Sequence, residues 1–580
     1  MGRVLSYIAL LALSGLVGSA EAAPSATVKN GTYSGVYNAG YDQDYFLGIP
    51  YAQPPERFSQ AQGLNSTWDG VRKVTDYPPH CYGYGGDNIG YEQSEDCLYL
   101  NVIRPAGIKD TSDLPVAVWI HGGGLFMGGS ADKRYNLSFI VDRSVELKQP
   151  VIGVSLNYRV SGFGFLGGKE ATEGGATNLG FRDQRLALRW INENIAAFGG
   201  SPKKVTIFGE SSGGESVSAQ ILAYNGRDDG LFRGAIAESG FGGALFRLAG
   251  GFNATDLMQD VYDSLVGNVT SCASLVGSPK SLDCLRQAPF SEINHALNVS
   301  KVGPWAPVLD LDFIADYPAN QHAEGNFPKI PILIGANTDE GTAFGQGRGP
   351  GGGVVDTDQD MRASIASILP DDIEQHAGKS ATQLTKELLA LYPNDQSKGI
   401  PSLRTWPEVI KPGSELAEKL GLQYRRANAL WGDLVIQYLR RRSNQAWSKH
   451  NVTNYAFRFD VSVDPTSPFM GATHFQEVAF VFSNLRGDGY ATSPFNGSGS
   501  YPTQAKALSK VMSTAWVNFF TKLNPNGPTD VGGVVWPTYG NRQSGKEIVF
   551  TLNSTFVESD MWHAKGMDWL ISHSLDVFGN

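Results

Sequence analysis

The chain has 580 residues, with 47 basic and 57 acidic side chains and a net charge of −10, a balance too acidic for a general nucleic-acid binder. Hydrophobic residues at 41%, with 11 Trp, 23 Tyr and 29 Phe, exclude a disordered chain. The 69 glycines, about 12% against a usual ~7%, mark a backbone that turns sharply or packs closely at many points.

The first element is a leader. Met1-Gly2-Arg3 carries one positive charge, Val4 to Val17 is almost wholly apolar, and Ala20-x-Ala22 offers a small-residue cleavage site. This layout predicts a secretory signal peptide over 1–22 and an extracellular protein. About 14 apolar residues fall short of the ~20 that span a bilayer. The C-terminus, Leu575-Asp576-Val577-Phe578-Gly579-Asn580, is neither a retention tag nor a lipid-anchor signal, so no stable membrane anchor is expected. Four cysteines, Cys81, Cys97, Cys272 and Cys284, allow three pairings that the sequence does not separate. The local one is the most economical, each short loop contributing about 3 kcal/mol on a chain-entropy estimate. Nine sequons, at Asn30, Asn65, Asn136, Asn253, Asn268, Asn298, Asn451, Asn496 and Asn553, are glycosylation candidates, and each one used must lie at the surface.

Short apolar runs then alternate with helical patterns. Pro115 to Ile120, Val151 to Leu156, Val205 to Phe208, Ala235 to Ala237 and Ile330 to Ile334 read as buried strands. Residues 183–198 read as a helix, with Ala187, Ile191, Ile195 and Phe198 on one face and Gly199-Gly200 as the stop. Ser216 to Leu222 also looks helical, and residues 504–521 place Ala505, Leu508, Met512, Ala515 and Phe519 inward. Alternation of this kind predicts an α/β protein with a mostly parallel sheet covered on both faces. Gly345 to Gly353 reads as a surface loop.

The chemistry falls at strand ends. Gly209-Glu210-Ser211-Ser212-Gly213 follows one strand and precedes a helix, which sets Ser211 on a tight turn with free helix-start N–H groups behind it. A serine hydroxyl needs a base, and the base an orienting acid. Of nine histidines, His121 and His474 stand at strand ends. His121 opens Gly122-Gly123-Gly124 and its backbone shapes an oxyanion site. His474, in Gly471-Ala472-Thr473-His474-Phe475 after the strand-like Tyr455 to Phe459, is the better base. With chain order Ser, acid, His, the acid falls in Asn337-Thr338-Asp339-Glu340-Gly341, where Asp339 and Glu340 are not separable on this logic.

Three stretches carry a resemblance. Asn178-Leu179-Gly180-Phe181-Arg182-Asp183-Gln184 through Phe198-Gly199-Gly200 to the Ser211 turn, Ser94-Glu95-Asp96-Cys97-Leu98-Tyr99-Leu100-Asn101, and Asn157-Tyr158-Arg159 resemble the type-B carboxylesterase, or cholinesterase-like, family over about residues 30 to 570. The resemblance implies an α/β-hydrolase fold in one domain over 23–580, with large insertions, and a triad of Ser211, Glu340 and His474. It also implies an oxyanion hole from the amides of Gly123, Gly124 and Ser212, with Ser239 and Glu210 in support. The pairing Cys81–Cys97 and Cys272–Cys284 matches the family as well. The implied reaction is ester hydrolysis through an acyl-enzyme.

Departures narrow the substrate. Related fungal lipases carry a longer amphipathic lid between the first two cysteines; Tyr82 to Asp96 is short, rich in Gly, Tyr and acids, and has no apolar helical face, which predicts small to medium soluble esters. No Trp lies between Cys81 and Cys97 to stack on a quaternary ammonium, and Tyr82, Tyr84 and Tyr91 read as packing. Trp305 falls where relatives line the acyl pocket, with core packing as the equal alternative. Where relatives have Asp-Gly, this chain has Asp310-Leu311-Asp312. Gly162 to Gly167 fits G-x-G-x-x-G, but Gly167-Gly168-Lys169 is expected to lead into more loop, which argues against a dinucleotide site. Without H-E-x-x-H or a Cys/His cluster, neither metal nor other cofactor is expected. The alternatives are a lipase on longer-chain acylglycerols and a non-catalytic binding module of the kind that has lost its nucleophile or base. A small-molecule ester is the expected partner, and oligomeric state is left open.

Overall fold

A computed structural model of the chain describes residues 23–243, 249–298, 303–527, 531–540 and 545–580; the leader expected over 1–22 lies outside the described residues. Eleven strands form one sheet. In chain order they are β1 (Val36–Asn38), β2 (Gln43–Pro50), β3 (Tyr99–Pro105), β4 (Leu114–Ile120), β5 (Ile152–Leu156), β6 (Gly200–Glu210), β7 (Gly234–Glu238), β8 (Ile332–Asn337), β9 (Asn454–Phe459), β10 (Lys546–Phe550) and β11 (Thr555–Ser559). Their spatial order is β11-β10-β9-β8-β7-β6-β4-β5-β3-β2-β1. Pairings from β5 through β10 are parallel, and the outer ones are antiparallel. This is the α/β-hydrolase architecture, and the sequence expectation of a mostly parallel sheet holds.

The parallel strands are apolar on both faces because both are covered. Period-two alternation sends Val116, Val118 and Ile120 of β4 to one core, and Ala117 and Trp119 to the other. The first core is closed by α2 (Leu179–Asn194) and α3 (Ser212–Gly226), through Ala187, Ile191, Val217 and Ile221. The second is closed by α1 (Ser138–Glu146) and the 22-residue α4 (Tyr501–Lys522), through Ile140, Met512, Trp516 and Phe520.

Three boundaries differ from expectation. α2 starts at Leu179, four residues before Asp183, whose carboxylate is a fully buried partner of Arg159, with Nη2 to Oδ1 at 2.7 Å. α3 starts at Ser212, directly after the Ser211 turn, earlier than apolar periodicity indicated. Gly168-Lys169 opens a short helix, Lys169–Glu173, rather than more loop. The glycines of the 162–167 run instead make room for side chains and backbone: a methyl on Gly164 would sit 2.1 Å from the Arg159 carbonyl oxygen.

Asp310-Leu311-Asp312 keeps its turn by other means. Arg182 donates to Asp310 and Asp312, each at 2.8 Å, and Asn178 to Asp310 at 2.9 Å. Leu311 meanwhile takes φ of +57° with its side chain 75% exposed. The disulfides are Cys81–Cys97 and Cys272–Cys284, with Cα separations of 5.1 and 5.8 Å.

Candidate active site

In this sheet order β4 lies between β5 and β6, so the connection after β4 leads one way, to β5, and that after β6 the other, to β7, and a crevice opens between the carboxyl ends of β4 and β6. The loops after β4 and β6 are Gly122 to Gly124 and Ser211. Ser211 has φ +57° and ψ −127°, a conformation that costs on the order of 1–3 kcal/mol. The surrounding turn is possible only without side chains. A methyl on Gly213 would stand 2.1 Å from the Ile120 carbonyl oxygen, and one on Gly240 2.1 Å from that of Ser211. Ser211 N–H donates to the Glu238 carbonyl at 2.9 Å, tying the turn to β7.

The structure brings Ser211, His474 and Glu340 into one row. His474 Nε2 lies 2.8 Å from Ser211 Oγ, and His474 Nδ1 lies 2.7 Å from Glu340 Oε2. Glu340 Oε1 accepts from Ser239 Oγ at 2.5 Å and from the Asn337 amide at 2.8 Å. The two acids of the 337–341 loop therefore part ways. Asp339 turns instead to the histidine loop, where it accepts from Ala472 N–H at 2.8 Å, and burial pushes its carboxyl up to about 7. His121 is buried against Tyr158, with Nδ1 at the Gly122 carbonyl, away from this row.

Two groups beyond the row set its charge. Glu210 Oε1 lies 3.3 Å from His474 Nε2. Glu477 Oε2 accepts from Asn337 Nδ2 at 2.5 Å, and its Oε1 lies 3.3 Å from Ser239 Oγ. The sequence reading missed Glu477 and Asn337. The available signal was an acid opening the buried run Val478 to Phe482. Burial and the facing Glu340 carboxylate push Glu477 up to about 7. Burial works against the His474 imidazolium, but the carboxylates of Glu210 and Glu340 more than offset it and raise the group above its usual 6.5. Burial in turn pushes the Glu210 carboxyl well above the usual carboxylate range, against the pull of the facing His474.

Gly123 and Gly124 take φ of +94° and +69°, and Ser212 is the first residue of α3, where an N–H has no partner in the helical ladder. Ser212 Oγ accepts from Leu125 N–H at 2.9 Å, which holds the glycine loop against the helix start. Ser211, His474 and these loops line a single cavity of about 1270 Å³.

The chain as a whole is matched by known proteins. The model of the carboxylesterase family fits residues 22–565. The chain belongs to that family. Secreted lipase 1 of Botryotinia fuckeliana is 31% identical over 594 residues, covering 95% of this chain and 93% of that protein. Lipase 1 of Geotrichum candidum is also 31% identical, over 82% of this chain and 86% of its own. The solved structure of Aspergillus niger EstA superposes with a TM-score of 0.77 at 26% identity, over 96% of this chain and 99% of that one. The chain is thus a carboxylic ester hydrolase.

The rest of the carboxylesterase cavity refines the sequence expectations. Trp305 is both core and lining: it is 3% exposed, yet forms part of the cavity wall. Tyr82 and Tyr84 line the cavity, Tyr84 donating to Asn294 Oδ1 at 2.8 Å, whereas Tyr91 stacks on His80. Residues 82–96 contain one 3-10 turn, Gly86–Asn88, and no α-helix. Asn65, Asn268, Asn298, Asn451, Asn496 and Asn553 are exposed, while Asn136 and Asn253 are half-buried. Asn30 runs against the expectation of a surface sequon: it is 6% exposed, and its amide nitrogen donates to the Ser66 carbonyl at 2.8 Å, which a glycan on that nitrogen would break. Among the described residues, no helix is long and apolar enough to cross a membrane.

Proposed function

We propose that this carboxylesterase is a secreted serine hydrolase of small to medium, relatively soluble esters, working through Ser211, Glu340 and His474. The observation that carries the reading is the unbroken row from Ser211 Oγ through the imidazole to a carboxylate, at 2.8 and 2.7 Å. His474 takes the proton as Ser211 attacks the ester carbonyl, and Glu340 stabilises the imidazolium. The tetrahedral oxyanion is held by the amides of Gly123, Gly124 and Ser212; one such donor is worth about 3 kcal/mol. His474 then protonates the leaving alcohol, and water repeats the attack on the acyl-enzyme. Ser239 and Glu210 support the row, the first by orienting Glu340 and the second from beside the imidazole. The catalytic domain spans 23–580 after a leader over 1–22, and the exposed sequons carry glycans.

The helix-free 82–96 loop supports soluble esters. Lipase action is the second reading, favoured by the names of the relatives and by a cavity of about 1270 Å³, above the ~300–1,000 Å³ of ordinary ligand pockets. A fluorophosphonate probe is expected to label Ser211 in the wild type and not in S211A; absence of labelling in the wild type sinks the enzyme reading. Faster turnover of emulsified long-chain triglyceride than of p-nitrophenyl butyrate would replace the first reading with the second.

A further inference from the structure

The loop that delivers His474 carries a second side chain with no part in the scheme above. Phe475 holds φ of +73°, a region bulky residues avoid, and its half-buried ring lines the cavity directly after the histidine. The guanidinium of Arg134 lies 4.7 Å from the centroid of that ring, within cation–π reach. Arg134 is fixed in turn. Its Nε donates to the two Asp132 oxygens at 3.1 and 3.0 Å, and its Nη2 to Asp132 at 2.5 Å and to Asp87 at 2.6 Å. Asp87 belongs to the Cys81–Cys97 loop and lines the same cavity. An ion pair thus joins the disulfide loop to the ring beside the base.

The position of that ring has a chemical consequence. His474 must return its proton to the departing alkoxide, so the leaving oxygen comes within about 3 Å of Nε2. The group on that oxygen meets the walls around the imidazole. Beyond the Glu210 carboxyl, 3.3 Å from Nε2, these are Phe475 and Phe344, whose ring stands edge-on to His474 with centroids 4.9 Å apart. Neither side chain has a hydrogen-bonding atom, and the nearest guanidinium is already paired with two carboxylates. Flat, apolar walls of this kind favour an aromatic ring over an aliphatic group of the same size through edge and offset contacts.

We infer that Phe475 is a specificity-determining wall of the leaving-group side, with Arg134 and Asp87 as its positioning residues, and that esters of aromatic alcohols are the preferred substrates. This rests on the assignment of Ser211 and His474 proposed above. The test is kcat/KM on benzyl acetate against cyclohexylmethyl acetate, whose leaving alkoxides are of similar size, the ratio being divided by that for hydroxide hydrolysis because the benzyl alkoxide is the less basic. The wild-type ratio is expected at about tenfold, and F475A and F475G each lower it about fivefold, as loss of one ring contact does. Glycine accepts φ of +73°, so F475G is expected to melt above F475A while losing the same selectivity, which separates the wall from the stability of the fold. R134Q lowers the ratio through KM for the benzyl ester, and R134K restores part of it. A wild-type ratio near one, or a ratio unchanged in F475A and F475G, overturns the inference and leaves the Ser211 assignment standing. A wild-type protein that hydrolyses neither ester and resists phosphonate labelling overturns the assignment itself.

Discussion

Two turns meet where Ser211 touches His474, and they bear backbone strain in opposite ways. The turn at 209–214 puts its strain on Ser211, at φ +57°, and surrounds it with glycines whose missing side chains let β4, β6 and α3 close to contact. The turn at 471–475 puts its strain on Phe475, at φ +73°, under a guanidinium rather than among small residues on both sides. Strain relieved by glycine is written into the local sequence. Strain held by a contact from elsewhere in the chain is not, because Arg134 lies more than three hundred residues away.

The largest expected effect comes from the acids that link the two turns. Asp339 and Glu340 are neighbours, yet Glu340 meets His474 Nδ1 and Asp339 the Ala472 amide of the same loop. E340Q is expected to lower kcat by about 10⁴, the cost of an imidazole without its carboxylate. D339N keeps an acceptor for the Ala472 amide and is expected to leave kcat within about tenfold of wild type, judged by the cost of one hydrogen bond. The pH profile gives a second reading. The Glu340 carboxylate stabilises the charged imidazole, and activity needs the neutral one. Removing that carboxylate lowers the His474 pKa, so the acid limb of residual E340Q activity moves to lower pH. An acid limb that moves up, or equal losses of kcat in both variants, would make Asp339 a second orienting acid.

That pair also marks how far the sequence could be read. Buried parallel strands announced themselves as apolar runs, and the glycines and Ser211 at a strand end pointed to a nucleophile before any coordinates. Asp339 and Glu340 were not separable from spacing, because which carboxylate reaches His474 depends on the path of a loop that begins more than one hundred and thirty residues later. Glu477 and Asn337 were missed for a related reason: they meet each other and Ser239 from distant parts of the chain, Asn337 at the end of β8, Ser239 after β7 and Glu477 beyond β9.

The next test attacks the glycine turn directly. Alanine is the better helix former by about 1 kcal/mol, so propensity alone makes G213A stabilising. The methyl would stand 2.1 Å from the Ile120 carbonyl oxygen and 3.0 Å from the His121 carbonyl carbon, both backbone atoms that cannot step aside. Overpacking is therefore expected to win, with a net loss of about 1–3 kcal/mol in denaturant unfolding. Activity is expected to fall further than stability, because β4 and α3 would separate, and with them Gly123, Gly124 and Ser212. A G213A protein as stable and active as wild type would show that glycine is not what this turn requires.

The smallest effect isolates contact-held strain where no catalysis is involved. Leu311 adopts φ of +57° with 75% of its side chain exposed, in a turn fixed by Arg182, Asn178 and the flanking aspartates. Its side chain buries little, so L311G gives up little packing and removes the left-handed penalty of a substituted residue. Against that gain stands the extra freedom glycine brings to the unfolded chain, ~0.5–1 kcal/mol. The penalty relieved is about 1–2 kcal/mol, so a net stabilisation of roughly 0.5–1 kcal/mol is expected in denaturant midpoints, with kcat/KM unchanged. Because the ion pairs and not the side chain hold this turn, R182Q is expected to erase the gain. If L311G destabilises, the flanking contacts do not hold the loop and Leu311 contributes packing that its exposure conceals; the same doubt would then extend to Arg134 and the turn at Phe475.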